Sequence, residues 1–242
     1  MSRNFDGVDD RVATADDAVS SMNSAGKTIS LWMRPTDGTT ATQIVCQQAT
    51  ISGAGGAGRI NFTYKGSAAT GNTNALRMLA AFSVTNGQWD TPTNSVPINM
   101  WINATVTYNY SSATDDPIWY FNGATQTLTE ASTPTLTPSG GEDTFFAGAN
   151  FNLLNEFIGQ IAYIQVFNRI LSQGEIVQIM RFPGSIRNGL LIFWPLWGTS
   201  SPEPDYSGNR NNGTVTGAIK GTTEPPINGI FQVPKPELIT SF

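Results

Sequence analysis

Thr28-Ile29-Ser30-Leu31-Trp32-Met33-Arg34 alternates without a break. Ile29, Leu31 and Met33 fall on one side of an extended chain, and Thr28, Ser30 and Arg34 on the other. A period of two with one apolar side marks a β-strand that buries one face. Trp32 stands opposite the apolar set, so it is expected to face out or into a second layer. The same pattern recurs downstream. Arg59 to Tyr64 brings Ile60, Phe62 and Tyr64 together. Trp101 to Tyr108 sets Ile102, Ala104, Val106 and Tyr108 against Asn103, Thr105 and Thr107.

Further out, Ile118-Trp119-Tyr120-Phe121 runs into Asn122-Gly123, the favoured pair for a two-residue type I′ turn, and Thr125 to Thr129 is expected to return as the paired strand. Phe157 to Phe167 is a long apolar stretch interrupted by Gly159 and Gln160. One helix is predicted. Ser172-Gln173-Gly174-Glu175 fits a capping box, and Ile176, Ile179 and Met180 give a short apolar stripe. Gly174 weakens it, so about two turns are expected. Ser52 to Gly58 and Thr133 to Gly141 read as loops.

Composition agrees with an all-β chain. Only 13% of the 242 residues are charged, so Thr, Ser, Asn and Gly must cover the surface. The length suits one large sandwich with a sizeable core. The net charge is −5 and no basic run occurs, which excludes a phosphate-reading surface and argues against a nucleic-acid partner. No stretch is long and apolar enough to span a bilayer, so no membrane partner is expected. The one cysteine, Cys46, reads as a small buried apolar residue. No signal segment is seen, so synthesis in a cytoplasm is expected, and the sequons at Asn61, Asn103, Asn109 and Asn212 read as incidental.

Several of these segments resemble one family. Phe5 to Val12 is similar to the opening strand of laminin G-like and pentraxin-like jelly rolls, and Thr28 to Pro35 to their next core strand. Trp101 to Tyr108 resembles their Trp-x-x-(apolar)-x-(apolar)-Thr-Tyr strand, and Ile118 to Gly123 the strand ending in Asn-Gly. Phe157-Ile158-Gly159-Gln160-Ile161-Ala162-Tyr163-Ile164-Gln165-Val166-Phe167-Asn168-Arg169-Ile170-Leu171-Ser172 is similar to the closing strand and its Asn-Arg-x-Leu-Ser turn. The resemblance covers roughly residues 3 to 180. It implies a concanavalin A-like fold: an antiparallel two-sheet jelly-roll β-sandwich with one short helix and an extended Pro-rich tail. The expected division is 1–182 for the sandwich, 183–221 for a closing strand and turn-rich loop packed on it, and 222–242 for a tail that acts as an assembly arm. The tail carries Ile227, Ile230, Phe231, Leu238, Ile239 and Phe242.

Trp194 to Asn209 resembles the C-terminal part of jelly-roll proteins encoded in bacteriophage genomes. That resemblance implies a non-catalytic virion structural protein: capsid decoration, head fibre or tail component, located in the virion, with other virion proteins and further copies of itself as partners. The alternative is a carbohydrate-binding module for host or environmental glycans.

The chemistry of catalysis is thin. There are no histidines, which removes triads and every His-containing metal site. Family glucanases carry Glu-x-Asp-x-x-Glu on one strand, and no such run occurs. Glu203-Pro204-Asp205 reads as a polar turn. A glycosidase is therefore the least favoured reading, and no cofactor is expected apart from calcium. Acidic neighbours that could ligate it are Asp9 and Asp10, Asp115 and Asp116, and Glu142 and Asp143, with Asp16-Asp17 a further pair. Many relatives carry an Asp in the closing strand where this chain has Ala162 or Tyr163. For sugar, the candidates are Trp89 with Asp90, in a loop-like segment, and Trp32.

Overall fold

A computed structural model describes residues 1–15, 26–49, 60–137, 144–198 and 200–227. In chain order the strands are β1 (Arg3–Asp6), β2 (Arg11–Ala13), β3 (Gly26–Pro35), β4 (Gln43–Ala49), β5 (Ile60–Lys65), β6 (Ala75–Ala80), β7 (Gly87–Asp90) and β8 (Ile102–Asn109). They continue with β9 (Ile118–Phe121), β10 (Ala124–Thr125), β11 (Thr129–Ser132), β12 (Thr144–Ala147), β13 (Ile158–Phe167), β14 (Leu190–Trp194), β15 (Thr214–Thr216) and β16 (Ile219–Lys220). One helix, α1 (Gln173–Arg181), lies between β13 and β14. No helix among the described residues is long and apolar enough to cross a membrane.

All strand pairing between these elements is antiparallel, in two sheets. Sheet A runs β10-β9-β8-β3-β13-β1-β16, with β14 also on β13. Sheet B runs β11-β7-β6-β5-β4-β12-β2-β15. The two close on one apolar core. Ile29, Leu31 and Met33 meet Ile102, Ala104 and Val106 from sheet A and Phe62, Tyr64 and Met78 from sheet B there. The alternation read from the sequence is thus the alternation of the sandwich: one face of each strand to the core.

The long strand β13 organises sheet A. It pairs with β3 along its length. On its other side it pairs first with β1, from Ile158 to Ile161, and then with β14, from Ile164 to Phe167. The exchange falls at a bulge between Ala162 and Gln165, where Tyr163 takes φ 50°. Tyr163 N donates to Pro195 O at 3.2 Å, so the bulge turns a donor toward the incoming chain. Gly159, which reads as an interruption, is a point of close approach: a Cβ there would sit 2.3 Å from Arg34 O.

Two local expectations change. Asn122 and Gly123 do form the turn, with φ 50° and 81°. The returning strand is only Ala124–Thr125, and Thr129–Ser132 crosses to pair with β7 at the edge of sheet B. Trp32 lies on the outward side of β3 but is buried. The helix follows its sequence signal. The Ser172 side chain and Glu175 form both halves of the capping box, and Ile176 and Ile179 bury against Phe167 and Phe193 on the outer face of sheet A.

Residues beyond the helix are woven into both sheets through β14, β15 and β16. The start of the Pro-rich segment is anchored on the sandwich itself. Gly221 N donates to Ser2 O at 2.8 Å, Ser2 Oγ donates to Thr223 O at 2.7 Å, and Trp101 Nε1 donates to Thr223 Oγ1 at 3.1 Å. Ile227 is half-buried, while Ile230, Phe231, Leu238, Ile239 and Phe242 lie outside the described residues.

Candidate functional site

At one end of sheet A the β8–β9 loop folds back and opens a cleft of about 300 Å³. Its floor and walls come from Thr107, Tyr108 and Asn109 of β8, Thr114, Asp115 and Asp116 of the loop, Ile118 at the start of β9, and Ile170 before the helix. Asn109 Nδ2 donates to Asp115 Oδ2 at 2.6 Å, which brackets the loop. Asp116 Oδ1 accepts from Trp89 Nε1 at 2.8 Å, which ties the loop to the core. Each carboxylate keeps one oxygen without a hydrogen-bond partner among the described residues. Ile118 and Ile170 flank the cleft, 46% and 48% exposed. Beneath them the Tyr108 hydroxyl is buried with no hydrogen-bond partner among the described residues. Burial first, then the neighbouring Tyr110, Asp115, Asp116 and Glu130, push its phenol well up, so it stays a neutral donor.

The structure sorts the residues singled out in the sequence. Asp115 and Asp116 are brought together in the cleft. Trp89 is not an exposed platform: it is 1% exposed and packs 5.5 Å from Tyr108 in the core. Asn86 to Asp90 reads as a loop because it holds a single large apolar residue. It is strand β7, with Gly87 and Trp89 inward and Gln88 and Asp90 outward. Asp90 is buried too, held between Lys65 and Arg77. Trp32 is 5% exposed and offers no open face. Ile118 and Ile170 were missed in the sequence. Their only signal is an apolar residue at a strand start and another inside a polar turn.

A second acidic group forms at the β1–β2 turn. The carboxylate oxygens of Asp6, Asp9 and Asp10 lie within 4.8 Å of one another. They could supply three of the six to eight oxygens that calcium takes. Asp6 was missed because it reads as part of the opening strand. Glu142, Asp143, Asp16 and Asp17 lie outside the described residues. Asp10 is buried and accepts from Asp6 N at 2.5 Å. Burial, with the charges of Asp6 and Asp9, raises its carboxyl from 3.8 to about 6 against the pull of that backbone N–H. A folded-state value above the unfolded one means that ionisation costs stability. The cost is absent below about pH 4 and complete above about pH 7. Asp10→Asn keeps an oxygen for the Asp6 N–H. It is expected to raise stability by on the order of 1–3 kcal/mol at about pH 8 and to change little at about pH 4. Thermal unfolding at both pH values checks this, and an equal shift at the two would count against the buried charge.

Against known families, a sequence model described as the concanavalin A-like lectin/glucanases superfamily matches residues 6–177. The chain belongs to this superfamily. No curated protein matches its sequence. Among solved structures, it is similar to a putative carbohydrate binding protein from Bacteroides ovatus, with a TM-score of 0.64, 18% identity, and cover of 93% of this chain and 60% of that one. The chain thus spans 60% of the length of that protein. A heptameric SAP-like pentraxin from Limulus polyphemus gives a TM-score of 0.50, 13% identity, and cover of 92% and 95%. The CBM40 of a Ruminococcus gnavus IT-sialidase, bound to α2,3 sialyllactose, gives 0.52, 12%, and 74% and 97%. At these identities the likeness establishes the fold.

The carboxylates of the Glu-x-Asp run, Glu203-Pro204-Asp205, are the ones set beside the glucanase pattern. A glycosidase needs two carboxylates open to one substrate. Glu203 and Asp205 are both consumed by structure. Glu203 is buried, accepts from Arg3 Nε at 2.9 Å and from Trp197 N at 3.0 Å, and burial raises its carboxyl against the pull of Arg3. The polar turn read there is therefore a buried ion pair. Asp205 takes the backbone N–H groups of Phe193, Ser207 and Asn211. Cys46 is buried and its thiol pushed well up, which leaves it unreactive.

Proposed function

We propose that this chain is a non-catalytic, glycan-binding sandwich and that the β8–β9 cleft is its sugar site. The observation that carries this is the composition of the cleft. Asp115, Asp116, Asn109, Thr107 and Thr114 offer acceptors and donors for hydroxyl groups, and Ile118 and Ile170 offer apolar walls for the C–H face of a sugar ring. Such a mixture is suited to a small polar molecule with an apolar face. The superfamily and the solved carbohydrate-binding neighbours support the same reading.

A broad glycan array followed by calorimetry tests it. A neutral oligosaccharide is expected to bind. Asp116→Asn and Ile170→Ala are each expected to weaken it roughly tenfold, about 1.4 kcal/mol, with the unfolding midpoint nearly unchanged. No binding across the array, or both variants binding as wild type, would overturn the reading.

The virion-assembly role is a separate proposal, supported by the phage-like residues 194–209 and the apolar tail. It turns on the chain's mass in solution. An oligomer that becomes monomeric on truncation after Thr222 would carry it, and a monomer in both forms would remove its support.

A further inference from the structure

The outer face of sheet B holds chemistry that the cleft does not use. The register sets Thr63, Arg77, Asp90 and Thr129 side by side across four strands. Two residues along, Asn61, Leu79 and Gln88 form the neighbouring row. In the first row Arg77 donates from Nε to Asp90 Oδ1 at 2.6 Å and from Nη2 to Oδ2 at 2.8 Å. Lys65 Nζ donates to the same Oδ2 at 2.7 Å. The side chains of Lys65 and Asp90 are each 4% exposed, and that of Arg77 is 25% exposed.

Two cations therefore share one carboxylate. Asp90 uses both of its oxygens and is left with a net neighbourhood charge of about +1 at a largely buried position. An uncompensated charge held out of water is costly, and an incoming anion relieves that cost. Arg77 can meet it: its side chain is a quarter exposed, and Nη1 has no hydrogen-bond partner among the described residues. A guanidinium edge of this kind suits an oxyanion with two oxygens.

The neighbouring row adds the rest of a sugar surface. Asn61 Oδ1 accepts from Gln47 Nε2 at 2.9 Å, which leaves the Asn61 amide N–H groups as donors. Gln88 makes no side-chain hydrogen bond among the described residues, and Leu79 lies between the two, half-buried. Cross-strand neighbours on one face stand about 5 Å apart, so two amides, one aliphatic group and one cation fall within the span of two or three sugar units.

We infer that this face is a second glycan surface, selective for a chain that carries a carboxylate or sulfate group. The inference rests on the glycan-binding reading above. The probes are an oligogalacturonate, its carboxyl-reduced neutral counterpart and a sulfated galactose oligomer, each titrated into the full chain by calorimetry. The oligogalacturonate and the sulfated oligomer are expected to bind at least about tenfold more tightly than the neutral chain, with the preference shrinking as salt is raised. If only one of the two anionic chains is preferred, that one identifies the oxyanion.

Gln88→Glu puts a negative charge beside Arg77 without touching the ion group. It is expected to abolish the preference, as is Arg77→Gln. Should Arg77→Gln fail to fold, Gln88→Glu still decides. Equal binding of all three chains, or a preference that survives Gln88→Glu, would overturn this inference and leave the cleft reading standing. Failure of every chain to bind would overturn this inference, while the glycan array alone decides the cleft reading.

Discussion

Glu203→Ala is expected to cost about 3–5 kcal/mol of stability, because it strands a buried guanidinium. Arg3 and Glu203 have side chains only 4% and 1% exposed, and they join β1 to a loop 200 residues away in sequence. Glu203 also accepts from Trp197 N, and its backbone pairs in both directions with Gly213. Arg3 donates in turn to Ala218 O and Ser200 O. Removing the carboxylate leaves the Arg3 charge without a counter-ion and the Trp197 N–H without an acceptor. Urea unfolding followed by tryptophan fluorescence reads the loss. Arg3→Met combined with Glu203→Leu should recover much of it, since a buried pair replaced by apolar groups of similar volume is often near neutral. Glu224→Ala is the matched control. It breaks the Met1–Glu224 pair, whose partners are 31% and 68% exposed, and should cost less than about 1 kcal/mol. A Glu203→Ala loss no larger than that of the control would show that the pair does not hold the C-terminal segment to β1.

The fold was legible where burial on one face forces alternation. Thr28 to Arg34 and Trp101 to Tyr108 declared their inward sets, and those sets are the core. The helix was legible because capping is local: Ser172 and Glu175 satisfy each other three residues apart. What escaped depended on pairing with distant partners. Nothing within Phe157 to Phe167 says that the strand changes partner at Tyr163. That bulge exists because β14 arrives from beyond the helix. Thr125 to Thr129 has the composition of a returning strand, yet Thr129 pairs with Asp90 of the other sheet, and no local property of the segment encodes that choice.

The site was less legible than the fold for a related reason. An exposed aromatic and a buried one have the same letter, and only neighbours tell them apart. Asp115 and Asp116 announced themselves as an acidic pair, whereas Ile118 and Ile170 meet across the chain's fold. Asp90 was singled out as a sugar ligand because it follows a tryptophan. Its place on the outer face of sheet B is real, but it serves there by holding Arg77, the residue that reaches solvent.

Trp89 separates a core role from a sugar-platform role, and its replacement should be the most damaging single truncation in this part of the sandwich. Trp89→Ala removes one of the largest fully buried side chains and is expected to cost about 3–5 kcal/mol, a fall in the unfolding midpoint of roughly 10 °C or more. The packing around it is tight. A Cβ on Gly87 would lie 2.1 Å from its ring, so the strand gives up a side chain there to admit the indole. Trp89→Phe keeps most of the apolar volume but removes the N–H that Asp116 accepts, and should cost less, on the order of 1–2 kcal/mol. The two variants then differ in function only through folding. Loss of glycan affinity in Trp89→Ala should follow the fraction of unfolded protein and, at temperatures where the variant is folded, fall to the loss that Trp89→Phe shows, since both lack the N–H that holds Asp116. Trp89→Phe should stay folded and still weaken binding several-fold, because Asp116 loses the contact that fixes it at the edge of the cleft. A folded Trp89→Ala protein that loses sugar while Trp89→Phe retains full affinity would instead make the indole a direct contact, and would require the cleft to open inward to the core.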